Sequence, residues 1–214
     1  SFLHIAIQLA EALEGLYCHR VIHKDIKPAN ILIHPETHHI KLIDFSISSL
    51  LPKETQEIKN PNVLEGTLAY MSPEQTGRMN RGIDYRSDYY ALGATFYELL
   101  TGQLPFPTKD LLELVHCHIA RPPTPPHELN ATIPQPVSDL ILKLMAKNAE
   151  DRYQSAWGIK ADLERCAQQL LVEVGLIEPV PLGLHDVSEQ FCTPQKLYGR
   201  EAEIEALLAA FNRV

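Results

Sequence analysis

The chain has 214 residues, 45% of them hydrophobic and 21% charged, with a formal net charge of −8 and a pI near 5.7. That length and balance suit one folded domain plus a short addition and exclude a disordered chain as the default. The deficit of positive charge argues against a nucleic-acid surface as the main function, and no run reaches the ~18 apolar residues of a membrane span.

The first element is predicted as an amphipathic helix: Phe2, Ile5, Leu9, Leu13, Leu16 and Tyr17 recur at helical spacing and the pattern ends between Gly15 and His19. Ser1 opens straight into this periodicity with no Met and no basic leader, which reads as a chain beginning inside a domain. Val21-Ile22 is a short extended stretch, and residues 31–33 and 40–43 form strands of a small hairpin turned by residues 34–39. Residues 46–66 are polar and aperiodic, a long loop of the kind that is usually functional. A mostly apolar helix, buried on several sides, is predicted over 87–101 with Gly102 as its stop. Thr108 reads as the N-cap of a helix running through Ala120. Residues 121–136 hold six prolines and form a connector, for which a bridging loop is the simpler reading than a polyproline ligand. Two more amphipathic helices follow over 137–147 and 155–171, with Trp157 and the aromatics of the 87–101 helix placed in the core. Residues 174–196, with Pro179, Pro181, Gly183 and Pro194, read as a linker, and 200–214 turns helical again with Ile204, Leu207, Leu208 and Phe211 on one face.

Four ordered motifs carry the chemistry. They are His23-Lys24-Asp25-Ile26-Lys27-Pro28-Ala29-Asn30, then Asp44-Phe45-Ser46 after the second hairpin strand, then Gly66-Thr67-Leu68-Ala69-Tyr70-Met71-Ser72-Pro73-Glu74, then Asp84 to Gly93 opening the apolar helix. In this order and spacing the chain resembles the eukaryotic-type Ser/Thr protein kinase family over residues 1–170. The resemblance implies a mainly α fold: the C-terminal lobe of a protein kinase with a small antiparallel β-hairpin and the N-lobe absent. It divides the chain into an incomplete kinase lobe over 1–173, a linker over 174–196, and the start of a second, truncated domain over 197–214.

The resemblance also implies the roles. Asp25 matches the catalytic base, and Asn30 and Asp44 match the hard-oxygen ligands of Mg²⁺ that hold the phosphates of ATP. Lys27 would screen the transferring phosphoryl group, and Thr67 would stand near the substrate hydroxyl. Glu74 and Arg152 resemble a buried ion pair, and Asp88 resembles the carboxylate that braces the catalytic loop. Two positions depart from the family's pattern. Lys24 replaces an Arg that would grip a loop phosphate bidentately, which puts control through Ser48, Ser49 or Thr55 in doubt. Ser46 replaces a Gly and narrows the backbone range there.

No Gly-rich phosphate loop or Val-Ala-Ile-Lys strand precedes the catalytic loop. The missing N-lobe is therefore an expected partner, and the isolated chain is expected to be inactive. The segment Gln195 to Ile204, with its Gly199-Arg200-Glu201, is similar to the entry of a P-loop ATPase of the signal-transduction type, although no Walker motif follows before Val214. That implies a parent joining a Ser/Thr kinase domain to ATPase-like and sensor or histidine kinase domains. The expected function is transfer of the ATP γ-phosphoryl group to Ser or Thr of a protein substrate; the alternative is a regulatory or docking module that keeps the fold without turnover. The ten histidines form no chelating group, since His116 and His118 lie on different helix faces. Cys18, Cys117, Cys166 and Cys192 form no CxxC pair, which points to a reducing, cytoplasmic setting.

Overall fold

A computed structural model of the chain describes residues 2–50, 67–79, 81–172 and 181–187. Helix α1 (Phe2–Cys18) turns Leu3, Ala6, Leu9, Ala10 and Leu13 inward, a stripe at i, i+3, i+6, i+7 and i+10 that faces the core. It packs mainly on α6 (Ala156–Val172). Arg20, at φ 58, takes the left-handed conformation just past the helix end and turns the chain into strand β1 (Val21–Ile22). Strands β2 (Ile31–Ile33) and β3 (Ile40–Leu42) pair antiparallel, with Ile31 opposite Leu42 and Ile33 opposite Ile40. Strand β4 (Ser49–Leu50) pairs antiparallel with β1. The stretch expected to be loop over 46–66 thus contains a two-residue strand after a turn at 46–47, while 51–66 lies outside the described residues.

Helix α2 (Arg86–Thr101) is the axle of the fold. Every residue from Arg86 to Tyr97 is buried, because α1, α5 and the 3-10 turn Leu68–Tyr70 cover it on different sides. Tyr89, Tyr90, Phe96 and Tyr97 fill the core with Leu92. The helix stops at Gly102, at φ 74, where the amide of Gly102 donates to the Glu98 carbonyl at 2.8 Å. Helices α3 (Leu111–Ala120), α4 (Pro126–Leu129) and α5 (Gln135–Leu144) follow, the prolines of the connector supplying the first turns of α4 and α5.

Two expectations are corrected. Asp110, not Thr108, caps α3: its carboxylate accepts from the Glu113 amide at 2.8 Å. Thr108 instead accepts from the Asp110 amide and donates to the Glu113 carboxylate, so it holds the cap from one turn upstream. Trp157 is not core but 56% exposed. The buried stripe of α6 runs through Ala156, Ile159, Leu163 and Cys166, and position 157 lies about 100° around the helix from its first member. Lys160 covers the outer face of the indole at 5.7 Å.

Within the stretch read as a linker, residues 181–187 lie against the lobe: Leu182 packs on the core and Asp186 bonds to the start of α6. The other linker positions and residues 197–214 lie outside the described residues. Among the described residues no helix is long and apolar enough to cross a membrane.

Candidate active site

The segment from His23 to Asn30 leaves β1 and is anchored from beneath by Asp88, in the first turn of α2. Its carboxylate accepts from the amides of His23 and Lys24, each at 2.7 Å. Lys24 sits at φ 70, a region that side chains other than Gly adopt at a cost. The two bonds to Asp88, and one from Gln75 Nε2 to the Lys24 carbonyl at 2.9 Å, hold it there. Gln75 itself is set by a capping box with Ser72 in the 3-10 turn Pro73–Thr76.

Asp25 follows at the rim. Its Oδ2 accepts from Lys27 Nζ at 2.6 Å and Asn30 Nδ2 at 3.0 Å, and its Oδ1 accepts from the Thr67 amide at 3.1 Å. Lys27 Nζ also donates to Thr67 Oγ1 at 2.6 Å. A carboxylate offers roughly four lone-pair positions. Three are met by N–H donors, from Lys27, Asn30 and Thr67. Partial burial pushes the Asp25 pKa up, but the hydrogen bonds from Lys27 and Thr67 outweigh it and leave it below the usual carboxylate range. Asp25 is therefore an anion at neutral pH.

Asn30 closes a 3-10 turn begun by Pro28. Its amide nitrogen donates to the Asp25 carbonyl at 2.9 Å and to the Asp25 carboxylate at 3.0 Å, which fixes the orientation of the amide and leaves its oxygen as the remaining acceptor. The hairpin then returns the chain to this point. The amide of Ile43 donates to the Asn30 carbonyl at 3.0 Å and places Asp44 beside the loop. Asp44 is exposed, at φ 65. A hydrogen bond from Ser46 lowers its pKa, and it lies within electrostatic range of Asp25 and Lys27.

His23 links the two halves. Its Nδ1 accepts from the Asp25 amide at 3.3 Å and its Nε2 faces the Ile43 carbonyl at 3.1 Å, so the neutral ring with hydrogen on Nε2 satisfies both. Burial lowers its pKa in keeping with that neutral form. The ring also packs on Phe45, centroid to centroid at 4.7 Å.

Asp25, Lys27, Asn30 and Thr67 thus form one hydrogen-bonded group, and Asp44 stands next to it. The sequence reading missed three contributors. The Thr67 amide binds Asp25 through a main-chain group that no side-chain pattern marks. The strut formed by His23 joins two main-chain groups, which no side-chain pattern marks either. Gln75 was legible, since Ser72-Pro73-Glu74-Gln75 has capping-box spacing. Behind the site, Arg152 clasps Glu74 bidentately at 2.6 and 2.8 Å, and Ser87 donates to the same carboxylate at 2.7 Å.

The group can orient a hydroxyl through Asp25, offer hard oxygen atoms from Asn30 and Asp44 to a divalent cation, and place one ammonium over the space between. The donor set fits Mg²⁺, which takes carboxylate and amide oxygens and leaves positions for phosphates.

Residues 2–163 match the family described as Protein kinase domain. The hybrid signal transduction histidine kinase G of Dictyostelium discoideum is 31% identical over a 300-residue alignment that covers 100% of this chain and 9% of that protein. The serine/threonine-protein kinase PknB of Mycolicibacterium smegmatis is 35% identical over 163 residues, 76% of this chain and 26% of that protein. The probable serine/threonine-protein kinase CPE1738 of Clostridium perfringens is 38% identical over 163 residues, 76% of this chain and 23% of that protein. The chain spans about a quarter or less of the length of these curated relatives.

Proposed function

The chain belongs to the protein kinase family, and from that premise we propose that it forms the catalytic-loop lobe of a Ser/Thr protein kinase that uses ATP and Mg²⁺. The observation that carries this reading is the shared hydrogen-bonded group of Asp25, Lys27, Asn30 and Thr67. The hydroxyl of the substrate Ser or Thr donates to Asp25, which aims its lone pair at the γ-phosphorus, with Thr67 beside it. As the new O–P bond forms and the bond to the leaving oxygen breaks, the hydroxyl proton passes to Asp25. A carboxylate of lowered pKa is a weak base, which suits a loose transition state where positioning matters more than early deprotonation. Lys27 turns its ammonium to the transferring phosphoryl oxygens. Asn30 and Asp44 would hold Mg²⁺, which would neutralise phosphate charge.

The 214 residues contain no Gly-rich phosphate loop and no Val-Ala-Ile-Lys strand. We assign those parts to the N-lobe of the parent protein. The unpaired thiols of Cys18, Cys117 and Cys166 support a cytoplasmic setting. The full coverage of this chain by the Dictyostelium relative supports a multi-domain signalling parent.

The test is Asp25→Ala in the full-length parent. It should lower kcat at least ~100-fold with little change in nucleotide affinity. Activity that survives the change removes Asp25 from the role. Phosphoamino-acid analysis of the product should show phosphoserine or phosphothreonine and no phosphotyrosine. The 214-residue chain alone should give no measurable transfer to a generic Ser/Thr substrate.

A further inference from the structure

Residues 181–187 make a set of directed contacts that neither the kinase reading nor the family match explains, since the match ends at residue 163. The Asp186 carboxylate accepts from the amides of Gln154, at 2.8 Å, and Ser155, at 2.8 Å, and from the Ser155 hydroxyl at 2.9 Å. These groups lead into α6: Ser155 caps the helix, its hydroxyl accepting from the Gly158 amide at 3.0 Å, and Asp186 braces that cap from a distant part of the chain. Three residues earlier, the amide of Gly183 donates at 2.7 Å to Asp162, a carboxylate only 1% exposed. Asp162 also accepts from the Tyr153 hydroxyl at 2.6 Å and from Arg165 at 2.7 Å. Arg165 reaches the Pro181 carbonyl at 3.3 Å, and Leu182 packs on the core.

The lobe is shaped for this segment. A Cβ at Gly158 would lie 2.6–2.8 Å from Oδ1, Cβ and Cα of Asp186, inside the contact limit. Gly158 is thus the absence of a side chain that lets the segment lie down. Gly183, at φ 79, supplies the turn that points its amide at Asp162.

We propose that residues 181–187 are a strap, integral to the lobe, that anchors the polypeptide following Val187 to the α6 face. Two of the relatives, the bacterial kinases, align over 76% of this chain, whereas the Dictyostelium hybrid histidine kinase aligns over all of it. The strap therefore belongs to the part shared with a multi-domain relative. It holds the exit of the chain against α6, which packs on α1, the helix that leads into the catalytic loop. The strap holds independently of the catalytic assignment.

Residue-resolved amide exchange on the full 214-residue chain tests it, in the wild type and in Asp186→Ala and Gly158→Ala variants. In the wild type the amides of Gly183, Gln154 and Ser155 should exchange at least tenfold more slowly than in an unstructured chain. Each variant should speed these amides at least tenfold while the amides of α2 keep their protection. Gly158→Ala also separates the strap from plain helix propensity. On an uncovered helix, Gly→Ala raises the melting temperature; beneath the strap it should lower it, and in the Asp186→Ala background that loss should shrink or reverse. Wild-type Gly183 exchanging like an unstructured chain, or a raised melting temperature in Gly158→Ala with Gly183 unchanged, overturns the proposal. Should Asp186→Ala fail to fold, the wild-type rates and Gly158→Ala decide it.

Discussion

At the scale of single residues, the site is organised by carboxylates that serve different partners. Asp25 accepts from the side chains of Lys27 and Asn30 and from the Thr67 amide, and Asp88 accepts from the main chain at His23 and Lys24. Hydrogen bonds to a buried charge contribute roughly 1.5–3 kcal/mol each. Asp88→Asn keeps one acceptor and places an amide donor against the other N–H. It should destabilise the fold by about 2 kcal/mol in urea denaturation. In the parent it should lower kcat more than it raises KM, because it moves Asp25 without touching it. Lys24, next to Asp25 in sequence, and Asp44 both take the left-handed conformation. Backbone held in sparsely populated regions clusters where function over-determines it.

At the scale of elements, helix ends decide more than helix interiors. α3 begins at Leu111 because Asp110 supplies a carboxylate to the Glu113 amide, while Thr108 supports the cap. Asp110→Ala should cost about 1 kcal/mol, and Thr108→Ala less, read as the shift in urea midpoint. The apolar stripes of α1 and α6 are plain in their sequences, yet which face of α6 is covered follows from its packing on α1. Trp157 lost its predicted place in the core to that geometry: the stripe starts at Ala156 and leaves the indole outside.

At the scale of the whole molecule, the pair of Glu74 and Arg152 ties three regions together. Arg152 bonds to Glu74, to the Arg86 carbonyl at the start of α2, and to the carbonyls of Ala146 and Lys147 after α5. The side chains are 0% and 2% exposed for Arg152 and Glu74. Removing one partner strands the other charge, so Arg152→Ala should destabilise the fold by about 3–5 kcal/mol in chemical denaturation. A different buried group also contributes to acid stability. His118 contacts Tyr90 and Phe106, and burial together with nearby Lys147 lowers its pKa from 6.5 to about 4. Between those values the unfolded chain binds the proton and the folded one does not. The stability that neutral His118 contributes is thus fully present above pH 6.5 and is lost as the pH falls toward 4, by up to about 3 kcal/mol. Denaturation at pH 7 and pH 5 should show a larger loss for the wild type than for His118→Gln.

The sequence by itself determined the family and most of the long helices, and it proposed the groups at the site, because motif spacing and apolar period are local properties of the chain. Asp25, Lys27 and Asn30 lie within six residues of one another, so their meeting was legible before any fold was known. Thr67 and Asp44 needed the hairpin and the turn over 68–70 to bring them back. Other features were decided only by tertiary structure: the Thr67 amide on Asp25, the neutral His23 strut and the exposure of Trp157. The docking of Asp186 on a helix start some thirty residues away is of the same kind. Each depends on main-chain groups or on the packing of one face against another, and neither leaves a pattern in the order of side chains.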